Sequence, residues 1–344
     1  MKSRCDHRLF CFCTFTPVKI LVVRFSSIGD VILTTPVVRC IKQQLAQVEV
    51  HFLTKSSFEG LLENNPYIDR VHTIQRSIDE VIAQLQAEKF DFVVDLHNNV
   101  RTLSLKRKLG VRSASFPKKN ISKFLLTKFK IDKMPDQHVV DRYFEAVKPL
   151  GVFSDGLPGD FFLNQADRPE QLPFNAAQPF LAVAMGAQFA TKQLPIDLME
   201  SSLATIETPI VLLGGAMDTD RSTALTNRLS GKYVYDLCGK LSLRQSAWVL
   251  SQAKTLLSGD TGLMHIAACF GVPIVSVWGN TVPAFGMYPY FPQNKDLFSI
   301  HEVKGLTCRP CSKIGYQSCP KKHFRCMADQ DASQISPDLA KRLS

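Results

Sequence analysis

Apolar residues along this chain form short continuous runs that alternate with segments of helical periodicity. The first run is VKILVVRF (18–25), and the stretch 30–45 after it has apolar residues at helical spacing. Further strand-like runs cover 48–53, 70–74 and 90–96, with a helix predicted over 77–89. Near-continuous apolar strands separated by helices are typical of a parallel sheet covered on both faces. The first part of the chain therefore predicts a doubly wound α/β domain.

The same alternation resumes after a Pro- and Gly-rich stretch, 151–179, which we interpret as an interdomain linker. The second set of strand-like runs covers 179–186, 209–215, 233–239, 254–260 and 272–279. Two such domains would hold a ligand between the carboxyl ends of their sheets. We therefore expect an α/β fold of two doubly wound Rossmann-like domains facing across a cleft. The predicted division is a disordered extension (1–16), a first domain (17–165), a second domain with a cysteine-rich end (166–328) and a C-terminal helix or tail (329–344).

Composition narrows the class of protein. The 344 residues are 45% hydrophobic and 21% charged, an ordinary globular mixture. No window approaches the ~18 apolar residues of a membrane-spanning helix, which excludes an integral membrane protein. The start, MKSRCDHRLFCFCTFTP, has a basic beginning but only a short apolar run, so it predicts no signal peptide. We interpret it as an extension, or as the product of an upstream start codon, and expect reduced thiols in the cytoplasm.

Charge is concentrated in one segment. The chain has 41 Lys and Arg against 31 Asp and Glu, a net charge of +10. Residues 101–148, here called the basic strip, hold 13 of these cations and 4 of these acids, a local charge of +9. Charge runs are usually solvated helix faces, but confinement to one segment favours a docking surface for an anionic partner. We expect no nucleic acid, because no helix-turn-helix or RNA-binding signature accompanies the strip.

The loop after the first strand, residues 24–30, contains one glycine. A dinucleotide fingerprint needs three glycines, so a Rossmann dehydrogenase is disfavoured. Asp30 fits two roles here: a cap of the following helix, or a general base at the carboxyl end of a strand.

Three loops of the second domain carry phosphate-binding chemistry. Lys192 follows the first strand and could neutralise a diphosphate. Asp218 follows a Gly-Gly pair and could accept ribose hydroxyls or cap a helix. The loop 258–262 reads Ser-Gly-Asp-Thr-Gly and leads directly into a small-residue helix, whose unpaired N–H groups favour an anion. Thr261 adds a hydroxyl, Gly262 leaves room, and His265 lies one turn further along.

Four motifs in order extend this picture over residues 18 to about 328. They are RFSSIGDVILTTP, GAQFATK, SGDTGLMHIAACFGVPIVSVWGNTVP and CRPCSKIGYQSCPKKHFRCM. With them the chain resembles the ADP-heptose:lipopolysaccharide heptosyltransferases of glycosyltransferase family 9. The resemblance implies a GT-B fold, a nucleotide sugar on the second domain, an acceptor on the first, and inversion without a metal.

The resemblance also implies roles for single residues. Asp30 corresponds to the general base and Lys192 to the phosphate-binding lysine. Asp260, Thr261, Gly262 and His265 correspond to the donor-sugar and diphosphate loop, with Asp218 at the ribose and Leu241 at the adenine. Some members carry hydroxyl residues where this chain has Ala187 and Gln188, so Thr191 is a substitute for their diphosphate contacts. The remaining predicted substrate-binding residues are Gly29 and Gln188.

The cysteine-rich end reads Cys308-x2-Cys311-x7-Cys319-x3-His323-x2-Cys326. This spacing fits a tetrahedral zinc site formed by the four cysteines. A structural metal and free thiols are both open, and we expect no catalytic metal.

These observations predict an inverting transferase that moves heptose from ADP-heptose to the lipid A-linked inner core of lipopolysaccharide. We expect a monomer at the inner face of the inner membrane, in peripheral contact with anionic lipid. The alternatives are a family 9 transferase that uses another nucleotide sugar, and a non-catalytic zinc-stapled protein that binds anionic lipid or nucleic acid.

Overall fold

The apolar runs form two parallel sheets in a computed structural model that describes residues 17–344. The predicted extension over 1–16 lies outside the described residues. The strands are β1 (Val18–Val23), β2 (Val48–Lys55), β3 (Arg70–Ile74), β4 (Phe92–Asp95), β5 (Arg112–Ser115), β6 (Leu181–Ala184), β7 (Ile210–Leu213), β8 (Val234–Asp236), β9 (Thr255–Ser258), β10 (Ile274–Trp278) and β11 (Phe298–Glu302).

Helices cover the strands or connect them. They are α1 (Ile28–Ile32), α2 (Thr35–Gln44), α3 (Ile82–Ala87), α4 (Val100–Leu109), α5 (Asn120–Phe129), α6 (Val139–Phe144), α7 (Ile196–Leu203), α8 (Thr219–Arg228), α9 (Leu243–Ser251), α10 (Gly262–Cys269), α11 (Arg325–Ala328) and α12 (Ala332–Leu343). None of the helices in residues 17–344 is long and apolar enough to cross a membrane.

Strand order places the loops that matter. The first sheet runs β3-β2-β1-β4-β5 and the second β11-β10-β9-β6-β7-β8, all parallel. In each sheet, successive strands are added first toward one edge and then toward the other. The direction in which strands are added therefore reverses between β1 and β4 and between β6 and β9. Ligands of doubly wound sheets bind at the carboxyl ends of strands beside such a reversal. The loops after β1, β6 and β9 lie at these points.

Apolar packing explains why these strands are central. Ile20, Leu21, Val22 and Val23 of β1 are completely buried, as expected for a strand covered on both faces. The C-terminal helix α12 buries Ile335 and Leu339 in the core of the second sheet, together with residues of α7. The predicted tail is therefore part of that core.

The chain divides into two compact units. The first holds the described residues through Lys118 and Val139–Leu157, and the second holds Lys119–His138 and Pro158–Ser344. The boundary thus falls at 157/158, earlier than the predicted 165/166. The structure also differs from our expectation that the whole basic strip lies in the first domain, because α5 and its flanks group with the second unit. Lys130 donates to the carbonyl of Pro310 at 2.7 Å, which is one contact that holds α5 there.

Three local predictions needed correction. The stretch 30–45 forms two helices, because Pro36 at the second position of α2 starts a new helix and cannot continue the old one. The stretch 77–89 forms a 3-10 turn followed by the short α3. Strands β5 and β11 were not predicted, because neither forms a continuous apolar run and none of their residues is fully buried.

Candidate active site

Asp30 lies on the short helix α1, which begins directly after the loop that follows β1. Ser27 precedes the helix, and its backbone N–H and hydroxyl donate to Asp30 Oδ2 at 3.3 and 2.8 Å. This arrangement is a capping box, so the helix-cap role predicted for Asp30 is present. Its side chain nevertheless keeps 23% of its surface exposed. The same carboxylate can therefore cap α1 and meet a substrate.

Arg24 gives the Asp30 carboxylate its charge environment. One guanidinium nitrogen lies 2.5 Å from Asp30 Oδ1, while others donate to the carbonyls of Ser26 and Leu96. Burial alone would raise the pKa of Asp30, but the Arg24 charge and the Ser27 hydrogen bonds outweigh it and hold the pKa below its ordinary value. Asp30 is therefore ionised at neutral pH and able to accept a proton.

Two aromatic side chains complete this part of the first unit. The Tyr143 hydroxyl lies 3.5 Å from Asp30 Oδ1, and burial raises the pKa of that hydroxyl well above its usual range. Burial also lowers the pKa of His97 to about 4, with Arg24 adding to the effect, so His97 is neutral at physiological pH. Gly29, the other predicted residue of this loop, is a buried position of α1. Asp30 is thus a partly exposed, titratable carboxylate that is surrounded by hydrogen-bond donors of Arg24, Ser27 and Tyr143.

The second unit brings Lys192 and Asp260 together, as the predicted donor site requires. Lys192 Nζ lies 2.6 Å from Asp260 Oδ2, and both side chains are mostly buried. The hydroxyl of Thr281 donates to the same carboxylate oxygen at 3.0 Å. A lysine has three N–H donors, so Lys192 retains donors for a phosphate while it holds Asp260.

The predicted anion site lies at the start of α10. Thr261 is the N-cap residue; its hydroxyl oxygen contacts Ser258 Oγ at 3.0 Å and accepts a long hydrogen bond from Met264 N–H. Gly262 is the first helical residue, and His265 is buried one turn into the helix. Unpaired N–H groups at a helix start attract an anion, and Lys192 supplies a positive charge at the neighbouring loop.

Gly259 permits this close approach of the two loops. A Cβ atom added there would lie 2.5 Å from the carbonyl oxygen of Lys192. Since that neighbour is backbone, it cannot swing away as a side chain would. Glycine at 259 therefore sets the distance between the end of β9 and the lysine loop.

Asp218 has a structural setting. Its carboxylate accepts from Gly215 N–H at 2.9 Å and lies so close to Gly186 that a Cβ there would meet it at 2.1 Å. With 8% of its surface exposed, it joins the loops after β6 and β7, as the helix-cap alternative anticipated. Leu241, predicted at the adenine, is half-buried just before α9.

Thr191 and Gln188 are held by the cysteine-rich segment. Thr191 is buried, its N–H and hydroxyl both donate to the carbonyl of Tyr316, and Tyr316 N–H donates back to the hydroxyl. This differs from the expectation that Thr191 offers a hydroxyl to the diphosphate, because that hydroxyl is occupied. The carbonyl of Gln188 accepts from Gln317.

Sequence reasoning missed several residues that position the site. Arg24 and Tyr143 surround Asp30, while Thr281, Arg309 and Tyr316 support the donor loops. Arg24 is the first residue of the quoted motif that contains Asp30, and Arg309 lies inside the Cys-x2-Cys pair, so both were within quoted segments. Tyr143 and the partners of Arg309 are distant in sequence, so spacing gave no signal for those contacts.

Sequence comparison identifies the family. The profile of glycosyltransferase family 9 (heptosyltransferase) matches residues 78–315. The chain belongs to glycosyltransferase family 9. It is 24% identical to lipopolysaccharide heptosyltransferase 1 of Pseudomonas aeruginosa, over 92% of each chain.

Solved structures agree with family 9 at the level of fold. A glycosyltransferase family 9 protein from Veillonella parvula superposes with a TM-score of 0.77 at 20% identity, covering 96% of this chain and 98% of the other. The E. coli heptosyltransferase WaaC with ADP gives a TM-score of 0.65 at 21% identity, covering 94% and 100%. The predicted GT-B class, two doubly wound α/β domains, is confirmed.

Proposed function

We propose that this family 9 protein is an inverting glycosyltransferase that moves heptose from ADP-heptose to the inner core of lipopolysaccharide. Similarity to a lipopolysaccharide heptosyltransferase along 92% of both chains carries the proposal. The two units hold chemistry that fits it: an ionised carboxylate in the first and a cationic helix start in the second. A related nucleotide sugar is the alternative donor.

In the first unit, Asp30 acts as the general base. An acceptor hydroxyl transfers its proton to the Asp30 carboxylate while its oxygen bonds to the anomeric carbon of the donor. The bond between that carbon and the diphosphate oxygen breaks on the opposite side, which inverts the configuration and releases ADP. Arg24 keeps Asp30 ionised before the acceptor arrives, and Ser27 and Tyr143 hold its orientation.

In the second unit, Lys192 and the N–H groups that open α10 stabilise the negative charge that develops on the diphosphate. Asp260 is held by Lys192 and Thr281 and binds hydroxyls of the donor sugar. Thr261, Gly262 and His265 complete the donor loop. Thr191 and Asp218 act through the backbone that they fix. This arrangement supplies the charge that a divalent ion would supply, so the chemistry needs no metal.

The acceptor is a lipid, and the surface of α5 fits contact with an anionic membrane at the cytoplasmic face. The segment 119–138 exposes Ile121, Phe124, Phe129 and Ile131, with exposures between 47% and 77%. Exposed lysines flank them: Lys119, Lys128 and Lys133. Apolar side chains bordered by lysines are typical of helices that lie in the membrane interface. We place peripheral membrane binding on this surface, called the α5 surface below.

A donor and acceptor assay tests the function. Thermal shift across ADP-, UDP- and GDP-sugars should give the largest stabilisation with ADP-heptose, and ADP release should require the lipid A-linked acceptor. Turnover only with another nucleotide sugar would establish the alternative donor. A non-catalytic binder would release no ADP with any acceptor.

A further inference from the structure

The cysteine-rich segment surrounds one small cavity in the second unit with four thiols and an imidazole. The lining residues include Cys308, Cys311, Cys319, His323 and Cys326, and the cavity has a volume of about 10 Å³. All four thiols are free, and Cys308 Sγ lies 3.8 Å from His323 Nε2. A volume of this order accommodates a single atom of water size.

We propose that this cavity binds one soft divalent cation of the Zn²⁺ class through the four cysteines, and that the bound ion holds the donor-phosphate loop in its binding geometry. Four sulfur ligands around a single-atom cavity suit Zn²⁺ better than Mg²⁺ or Ca²⁺, which prefer oxygen. The proposal rests on the proposed function, because that function assigns Lys192, at the end of the lysine loop 188–192, to the donor phosphates.

The first connection between the cluster and this loop runs through the residues between Cys311 and Cys319. Tyr316 and Thr191 exchange three hydrogen bonds of 2.8 to 3.1 Å. Gly315 lies directly against Phe189, where an added Cβ would come within 2.5 Å of that side chain. The lysine loop is thus fastened to a segment whose two ends are metal-ligand candidates.

The second connection runs through Arg309, between the first two cysteines. Its guanidinium donates to the carbonyls of Gly279 at 2.6 Å and Thr281 at 2.9 Å. Cys311 N–H donates to the carbonyl of Asn280 in the same loop. The Thr281 hydroxyl in turn donates to the Asp260 carboxylate. A displacement of the cysteine cluster would therefore be transmitted to Asp260 through two contacts, Arg309 with Thr281 and Thr281 with Asp260.

The segment needs a crosslink to hold this position. Residues 303–324 contain no helix or strand. Within the described chain, the group whose ligand atoms all lie within 4.8 Å of one another is His51, His72 and Glu88. Glu88 is already paired with Lys19 and Arg70, whose charges oppose a cation. The four cysteines line one cavity from separate points of this segment, so an ion bound there would crosslink it. That crosslink is what makes the lysine loop depend on the ion.

The test measures metal content, loop exchange and nucleotide binding on the full chain. We expect about one equivalent of zinc or iron per chain by elemental analysis, lost in Cys308→Ser and Cys319→Ser. Cys40→Ala, a buried cysteine of the first unit, is the matched control and should retain it. Removal of the ion should increase amide hydrogen exchange at residues 188–192 and weaken ADP binding at least tenfold, and Zn²⁺ should restore both.

Two results overturn the proposal. The metal site is ruled out if the protein contains no metal, both as isolated and after incubation with Zn²⁺, and all four thiols of the segment can be titrated. The coupling is ruled out if removal of the metal changes neither amide exchange at residues 188–192 nor the affinity for ADP. These measurements need neither heptose nor acceptor, so they stay separate from a failure of heptosyl transfer. If Cys308→Ser does not fold, removal of the ion from the wild-type chain decides alone.

Discussion

At the scale of single residues, the central question is how one aspartate serves both as a helix cap and as a base. Asp30 receives donors from Ser27 on one oxygen and from Arg24 on the other. A carboxylate has about four lone-pair sites, and the Tyr143 and Ser27 N–H contacts are long, so capacity remains for an acceptor hydroxyl. In the proposed mechanism the capping box fixes the carboxylate, and its exposed part takes the acceptor proton.

Asp30→Asn should lower kcat by roughly 10²–10⁴, because an amide cannot take the acceptor proton. ADP affinity should be unchanged, since the donor residues belong to the other unit. The amide oxygen of asparagine can still accept from Ser27 N–H, so the capping box of α1 should persist although the ion pair with Arg24 is lost. Wild-type turnover in this variant, measured by ADP release, would remove Asp30 from the mechanism.

Arg24→Gln should move the acid limb of the kcat/KM profile to higher pH. Arg24 lowers the pKa of Asp30, and the base is active only when deprotonated, so activity is lost as pH falls through that pKa. Without the guanidinium the pKa rises and activity is lost at a higher pH. Arg24→Lys, which keeps the charge, is the control and should shift the limb less. An unmoved limb in Arg24→Gln would mean that another group controls the profile.

Gly259→Ala should weaken donor binding, because the new methyl group would lie 2.5 Å from the Lys192 carbonyl oxygen and force the two loops apart. Overpacking of this kind costs about 1–3 kcal/mol, which corresponds to roughly tenfold or more in ADP affinity. At Gly215 an added Cβ meets its nearest atom at 3.9 Å, so Gly215→Ala is the matched control. Equal ADP affinity in both variants, by calorimetry, would show that loop spacing does not limit binding.

At the scale of elements, α5 shows how a charge run and an apolar face become one surface. Residues of the apolar triplet Phe124-Leu125-Leu126 differ in their exposure. Leu126 is buried, with 8% of its surface exposed, whereas Phe124 is 47% exposed. Lys130 is occupied with the cysteine-rich segment, so it should not be part of a membrane test. The lysines that remain free for lipid are those at 119, 128 and 133.

Removing the apolar side chains of α5 should release the protein from anionic vesicles. We expect the double variant Phe124→Ser and Phe129→Ser to lose vesicle binding. Replacement of Lys119, Lys128 and Lys133 by glutamate should remove the salt dependence of vesicle binding, since each lysine contributes about 1 kcal/mol near an anionic surface. Phe153→Ser, at a phenylalanine with 64% exposure in the first unit, is the control. Sedimentation with vesicles that the variants do not alter would leave α5 as a solvated helix.

At the scale of the whole molecule, the two units divide the chemistry between them. The first holds Asp30 and its donors, and the second holds Lys192, Asp260 and the start of α10. In the proposed mechanism, side chains and backbone of the second unit stabilise the charge that leaves with the diphosphate, and Asp30 of the first unit accepts the proton.

Heptosyl transfer should therefore persist in EDTA, and Mg²⁺ or Mn²⁺ should not increase it. The measurement is ADP release within minutes of chelator addition, before a tightly bound structural ion dissociates. Slow loss that Zn²⁺ alone reverses would report the cysteine site. Immediate loss that Mg²⁺ or Mn²⁺ restores would contradict the proposed charge stabilisation.

The pattern of apolar residues was enough to locate the central strands of both parallel sheets and the loops that hold the candidate site. Runs such as 18–25 and 254–260 are apolar because both faces of these strands are buried, and burial leaves a pattern in sequence. Motif order singled out Asp30, Lys192 and the start of α10 as the candidate site. Strands β5 and β11 left no such pattern, because none of their residues is fully buried.

Tertiary structure decided which residues meet. The Tyr143 hydroxyl contacts Asp30 from 113 positions away, and Thr191 binds Tyr316, 125 positions away. Contacts of this length depend on how loops pack after the sheets form, and single-residue spacing does not encode them. The same reason applies to α5. Its charge is visible in the sequence, but its place in the second unit depends on tertiary contacts such as the hydrogen bond from Lys130 to the carbonyl of Pro310.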